Sequence, residues 1–304
     1  MSTPMNPHPL VGAGGHLDHV RSGWPSAGWD FATPAVARPG VSMIGYRDVV
    51  GGRVDLRVAA TTAVAIVIEF GGGDLIVDDT GGRQALGAFV VGLPMDTARV
   101  RAERAQCVEV RLSPVLAYRL LDTAPKDLGA GVISAEALWG GRVRRLREQL
   151  TLADTWGQRF ALTNAFLAQG THARRAIDPE VIAAWRLVLD SGGQVRVDAL
   201  AASLGWSRKR LWSRFEAQIG LTPKRAAMLV RFRRAVDGLL AGRPAADVAA
   251  ACGYTDQAHL SRDVAIFADR TPGALQTGKL PAVAVGRHRA WGTFFQSSAG
   301  PLGR

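Results

Sequence analysis

Cysteine is nearly missing from this chain: Cys107 and Cys252 are the only two in 304 residues. Two thiols cannot make a disulfide framework, and alone they cannot complete a four-ligand zinc site, so neither redox chemistry nor structural zinc is suggested. Histidine does not occur between His19 and His172. That gap removes the His and carboxylate cluster that metal catalysis in a β-barrel would need, and no cofactor is expected. Long apolar runs are lacking too. The longest, Ala63 to Ile68, stops at Thr62 and Glu69, far short of the ~18 residues that a membrane span requires. The N-terminus shows no basic-then-apolar signal segment, so a soluble, cytoplasmic protein with no membrane partner is predicted.

What remains is an ordinary globular composition, 47% hydrophobic and 21% charged. At 304 residues the length suggests two domains, taking about 150 residues for each. The charge is more informative. Lys and Arg number 37 against 26 Asp and Glu, a net charge of +11. Residues 1–170 hold 17 basic and 16 acidic side chains, whereas residues 171–304 hold 20 and 10. The excess sits in the C-terminal part, which points to a polyanionic partner there.

Residues 1–40 mix Pro, Gly, Ser and His without a period of 2 or 3.6 and read as a disordered leader. From Val41 short β-branched runs alternate with glycine pairs: Val54 to Val58, Ala63 to Phe70, Leu75 to Val77, Ala88 to Val91 and Cys107 to Leu112. An antiparallel barrel or sandwich follows. Ser113-Pro114 starts a helix, and further helices are expected over 134–139, 142–150 and, capped by Asp154, 154–168. In the strands, Glu69, Glu109, Arg99, Arg101 and Arg111 alternate with apolar residues and read most simply as the polar face of a sheet. The sequence does not say whether the interior is filled or holds a ligand.

After Asp178 all is helical. Asp178-Pro179, Thr222-Pro223, Arg243-Pro244 and Thr271-Pro272 mark helix starts, since proline lacks an N–H that the first turn would leave unbonded. Seven helices are expected between Asp178 and Gln276. The fold class is therefore α+β, a β-rich domain with trailing helices over 41–170, an all-α domain over 171–278 and a tail over 279–304. In the tail, Trp291, Phe294 and Phe295 form an isolated apolar cluster.

The all-α part nearly repeats itself. Ala201, Gly205 and Ser207 precede Ala249, Gly253 and Thr255 by 48 residues. Each trio suits a helix-turn-helix: a small residue where two helices meet, a glycine for the turn, and Ser or Thr to cap the second helix. In the first copy Leu211 and Phe215 are core positions, leaving Arg208, Lys209, Trp212 and Ser213 on other faces. In the second, Leu260 and Val264 are core, leaving Gln257, His259 and Arg262. Arg, Lys, Gln and His are types that read major-groove edges and phosphates. Between the copies, Thr222 to Leu240 forms one long helix that fixes their separation, and successive major grooves on one DNA face lie ~34 Å apart. Nine basic residues fall between Gly205 and Ala235, against Glu216 alone.

Residues from about 178 to 276 resemble the DNA-binding domain of the AraC/XylS family of bacterial transcription regulators. The resemblance rests on Leu200-Ala201, Gly205, Ser207, Leu211, Phe215, Gly220 through Lys224, Arg231 with Ala235, Val248-Ala249, Gly253-Tyr254, Leu260 through Arg262, and Thr271-Pro272. It implies a tandem helix-turn-helix that binds double-stranded promoter DNA, with an upstream domain that senses a small-molecule effector or forms a homodimer. Ser207, Arg208, Lys209, Trp212, Ser213, Thr255, Gln257, His259 and Arg262 are the expected DNA-contacting residues. An enzyme of the alkylation-repair type would need a cysteine cluster, and a glutaminase-like sensor would need a nucleophile at a strand-to-helix elbow with a His partner. Cys107 offers neither. The competing reading is an architectural protein that binds DNA by charge alone.

Overall fold

The computed structural model describes residues 20–22, 28–36, 38–93, 98–121, 123–129, 131–169, 175–277, 283–284 and 286–288. Among the described residues eleven strands form two antiparallel sheets. In chain order they are β1 (Val20–Ser22), β2 (Trp29–Pro34), β3 (Val41–Asp48), β4 (Val54–Val58), β5 (Val64–Glu69), β6 (Leu75–Asp79), β7 (Gly82–Leu86), β8 (Ala88–Val91), β9 (Ala98–Ala102), β10 (Gln106–Leu112) and β11 (Val132–Ser134). The larger sheet runs β1-β2-β3-β10-β5-β8-β11 and the smaller β4-β9-β6-β7. The sandwich expected from the glycine-punctuated runs is present, with β1, β2, β3, β7, β9 and β11 in addition to the five runs read from sequence.

A structureless leader over 1–40 does not hold at its end. Trp29–Pro34 pairs with β3, and Phe31 is fully buried. Aromatic and β-branched content in this stretch is too thin to outweigh its Pro and Gly neighbours in a pattern count, yet pairing with β3 supplies the missing order.

Both faces of the larger sheet are covered. One face packs on the smaller sheet through Phe31, Ile44, Tyr46, Leu56, Val67, Val77, Val100 and Cys107. The other carries Met43, Ile66, Ile68, Val108 and Val110 into a core shared with the helices. This double burial explains why all six residues of β5 are buried, as in a strand with no solvent side. It also corrects the reading of β10 and the end of β5. Glu109 and Arg111 alternate with Val108 and Val110, but their face lies under the second sheet, and Glu109 is wholly buried. Glu69 is buried as well, accepting the Gly71 amide at 2.6 Å. Arg99 and Arg101 do lie toward solvent, paired with Asp55 and Asp78.

The helices are α1 (Pro114–Leu120), a 3-10 turn (Pro125–Leu128), α2 (Ala135–Trp139), α3 (Gly141–Leu152), α4 (Trp156–Gln169), α5 (Pro179–Asp190), α6 (Val197–Ser203), α7 (Arg208–Ile219), α8 (Pro223–Leu240), α9 (Ala245–Ala251), α10 (Gln257–Ala268) and α11 (Pro272–Gln276). Seven of them lie between Asp178 and Gln276, as the proline and glycine punctuation predicts. Ser113 caps α1 by accepting the Leu116 amide. Two starts differ from expectation. Thr155, not Asp154, accepts the first free amide of α4, from Gln158, and Pro244 stands at the cap of α9, one residue before its first turn. Trp291, Phe294 and Phe295 lie outside the described residues.

The β-rich part and the helical part share one continuous core, from Val108 and Leu112 through Leu121 and Leu128 to Leu211, Phe232 and Leu260. Among the described residues no helix is long and apolar enough to cross a membrane.

Candidate nucleic-acid interface

Each half of the helical domain is built the same way up to its turn. The residue after the turn glycine is a buried aromatic, Trp206 or Tyr254, whose amide reaches back to the carbonyl of Ala201 (3.0 Å) or Ala249 (2.9 Å). The glycines themselves take positive φ, +64° at Gly205 and +73° at Gly253, a conformation that a side chain would strain. Up to this point the copies stand 48 residues apart.

From the next helix onward the spacing is 49, seen in Ser207 and Asp256 at the caps, Leu211 and Leu260, Phe215 and Val264, and Gly220 and Asp269 at the left-handed C-caps. One residue has been added between turn and cap, and that residue is Thr255. Thr255 is therefore not the cap: Asp256 accepts the His259 amide at 2.6 Å, as Ser207 accepts the Arg210 amide at 3.2 Å. Thr255 instead points its hydroxyl toward His259 Nδ1, 3.5 Å away.

On α7, Leu211 and Phe215 are buried while Arg208, Lys209, Trp212 and Ser213 are exposed along with Ser207 at the cap. Trp212, 40% exposed, belongs to the outer face and not to the core. Arg208 pairs with Asp198 of α6 at 2.9 Å, and Arg214 makes a two-pronged pair with Asp178 at 2.6 and 2.7 Å. That contact holds the Asp178 carboxyl below its ordinary value and ties α7 to the start of α5. Arg210 lies over the Trp206 ring. The outer face of α7 thus presents Lys209, Trp212 and Ser213 between two ion-paired arginines.

On α10, Gln257 and Arg262 are exposed and His259 is half-buried, its ring edge-on to Tyr254. Behind it Arg231 of α8 reaches Asp263 at 3.2 Å, lies over the Tyr254 ring and comes within 3.4 Å of His259 Nε2. Asp263 is buried. The inward polar group Arg231–Asp263–Tyr254–His259 was not legible from the spacing, though Arg231 belongs to the motif. Of the nine basic residues, Arg231 and Arg233 turn inward, whereas Lys209, Arg210, Lys224, Arg225 and Arg234 are exposed.

Both α7 and α10 also end on the N-terminal part. The α-carbon of Gly220, at the end of α7, faces the carbonyl of Pro125, and the Phe267 carbonyl of α10 accepts the Ala60 amide at 3.0 Å. Asp269 pairs with Arg57 of β4. Besides α8, α7 is thus held by the 3-10 turn at Pro125, and α10 by Ala60 and Arg57 of the sandwich.

Residues 200–278 match the family model of a helix-turn-helix domain. No curated protein shows significant sequence similarity to the chain. Among solved structures, ToxT from Vibrio cholerae is similar with 11% identity over 74% of this chain and 97% of that one, at a TM-score of 0.48. The C-terminal domain of AraT, a response regulator from Geobacillus stearothermophilus, has 18% identity over 35% of this chain and 91% of its own, at 0.33. The xylose-binding transcription activator xylR has 22% identity over 37% of this chain and 30% of its own, at 0.32.

Proposed function

We propose that the chain, whose residues 200–278 match a helix-turn-helix domain, is an AraC-type, sequence-specific regulator of transcription in the cytoplasm, binding double-stranded DNA with α7 and α10 in successive major grooves. The observation that carries this reading is the doubled unit. Two capped helices with buried apolar faces present Lys209, Trp212, Ser213 and Gln257, Arg262 outward, held apart by the single helix α8. Arg262 and Gln257 are the base-reading candidates, Arg by a two-pronged bond to guanine and Gln to adenine. Ser207, Arg208, Lys209, Thr255 and His259 are assigned to phosphates or groove edges, where they set register.

The β-rich part modulates binding, by a small-molecule effector or by forming a homodimer. Its means is direct: Pro125, Ala60 and Arg57 touch the ends of the two recognition helices, so a shift of either contact re-spaces them.

Selection of the full chain against a random DNA library at about 0.15 M salt tests the reading. Two enriched short motifs about one helical turn apart are expected, with a preference of ~10³ or more over random DNA. Tight binding without enrichment would overturn sequence specificity and leave an architectural protein that binds by charge.

A further inference from the structure

Charged side chains are buried together between the two sheets. Glu109, fully buried on β10, accepts Arg111 Nε on Oε1 at 3.0 Å. The remaining donors come from the far end of the chain. Arg287, 178 residues away, donates Nε to Oε2 at 2.6 Å and Nη2 to Oε1 at 3.0 Å. Arg287 lies beyond the helix-turn-helix domain, in a short helical stretch seated on the sandwich. Val283 is buried in the inter-sheet core, and Gly286 lies so close to the Phe31 ring that a side chain there would collide with it. The next residue, His288, faces the other way and meets Asp237 of α8 at 3.2 Å. One short strap thus joins the interior of the sandwich to the helix between the two DNA-reading units.

The cavity around this ion pair is walled by Leu56, Val67, Phe89 and Val100, with Glu109 at its polar end. Its free volume is about 40 Å³, room for a few waters and for no effector while the strap is seated. Anything larger must take the place of Val283 and Arg287. What it must replace is set by Glu109. A buried carboxylate left without its partner is strongly destabilising, and removing Arg287 leaves Oε2 without the donor it has now. An anion entering there would meet the Glu109 carboxylate, with Arg111 alone to offset it. A guanidinium or ammonium restores the missing donors.

We propose that the interior of the sandwich is a receptor for a cationic small molecule, a guanidinium or ammonium head on an apolar body, and that Arg287 is its built-in competitor. Binding of such a molecule expels the strap and with it the His288–Asp237 tie to α8. The regulatory half of this inference rests on the function proposed above; the receptor half does not.

Arg287→Ala in the full chain opens the site, and propylguanidinium is a probe that matches the deleted side chain. At millimolar concentration, with propylammonium, propionate and sodium chloride as comparisons, calorimetry is expected to show Arg287→Ala binding propylguanidinium at least tenfold more tightly than the unaltered protein. The double variant Glu109→Gln, Arg287→Ala should lose that gain. Equal binding by the unaltered protein and Arg287→Ala, or propionate binding as well as the cation, would overturn the receptor. If Arg287→Ala does not fold, recovery of its native circular dichroism by propylguanidinium supports the proposal. Failure of that recovery, with no binding by a folded Arg287→Gln, overturns it. DNA affinity of Arg287→Ala, measured with and without the probe, reads the regulatory half separately: unchanged affinity in the face of probe binding removes the coupling and leaves the receptor.

Discussion

Ser207 and Asp256 occupy the same place in the two halves of the helical domain, each accepting the backbone amide three residues on, yet they stand 49 residues apart where the turn glycines stand 48 apart. The inserted Thr255 moves every later position of the second unit by one. Arg262 is therefore the counterpart of Ser213, and Gln257 that of Arg208.

Capping separates the two neighbours. Asp256→Ala should destabilise the second unit by about 0.5–2 kcal/mol, the ordinary range for a lost N-cap, whereas Thr255→Ala should stay within about 0.5 kcal/mol, as for a surface change. Urea unfolding of the two variants checks this. A larger loss for Thr255→Ala would mean that the hydroxyl and not the carboxylate holds the helix start.

The inward and outward arginines of the second unit should behave differently on DNA. Arg262→Ala is expected to cost about 1–3 kcal/mol on the preferred site and to relax selection at one base pair. Arg231→Ala leaves Asp263 buried without its ion-pair partner, a change worth about 3–5 kcal/mol of stability when such a pair is broken, and should weaken binding equally on all sequences. Library selection with both variants, beside their unfolding curves, distinguishes them. Sequence-selective loss in Arg231→Ala would show that it reaches DNA.

Acid should weaken the sandwich through Glu109. Burial alone would raise the Glu109 carboxyl, but Arg287 and Arg111 outweigh it and hold its pKa down to about 2, below the ordinary value of about 4.3. A depressed carboxyl stabilises the fold fully above its unfolded pKa, and that stability is lost as pH falls from about 4.3 toward 2. Glu69 works in the opposite sense: burial raises its pKa against the Gly71 amide and Arg147, so protonating it favours the folded state. Glu109→Gln should flatten the fall in stability below pH 4.5, read from unfolding midpoints across pH 2–7. An unchanged slope would mean that Glu109 is not ionised in the fold.

The helical domain was largely legible because its signals are local. Pro179, Pro223 and Pro272 start their helices and Gly205 and Gly253 make their turns from near neighbours alone. The cap at Asp256 was missed because Thr255 and Asp256 are both good caps and only the fold chooses. Glu109 and Arg111 were placed on the wrong kind of face for a different reason. Alternation shows that a strand has two unlike faces but not what covers the polar one, and here the cover is the second sheet and a strap from 178 residues away. Trp29–Pro34 was overlooked because its order comes from pairing with β3, not from its own composition.

Docking of α7 on the 3-10 turn that follows α1 can be isolated with two glycines. Gly220 and Gly242 both take positive φ, +88° and +78°, so replacing either by alanine carries a similar backbone strain. They differ in what a new Cβ would meet. At Gly242 nothing lies within 4 Å, whereas at Gly220 the Pro125 carbonyl carbon is 2.9 Å away and is backbone that cannot swing aside. Gly242→Ala should therefore cost about 1–2 kcal/mol, and Gly220→Ala should cost at least about 1 kcal/mol more, in the range of overpacked sites. The excess measures the contact between α7 and the 3-10 turn at Pro125. Because that contact helps set the spacing of α7 and α10, Gly220→Ala should also alter the preferred gap between the two selected DNA motifs, which Gly242→Ala should leave alone. Equal stability losses with unchanged spacing would show that the 3-10 turn at Pro125 plays no part in the separation of α7 and α10.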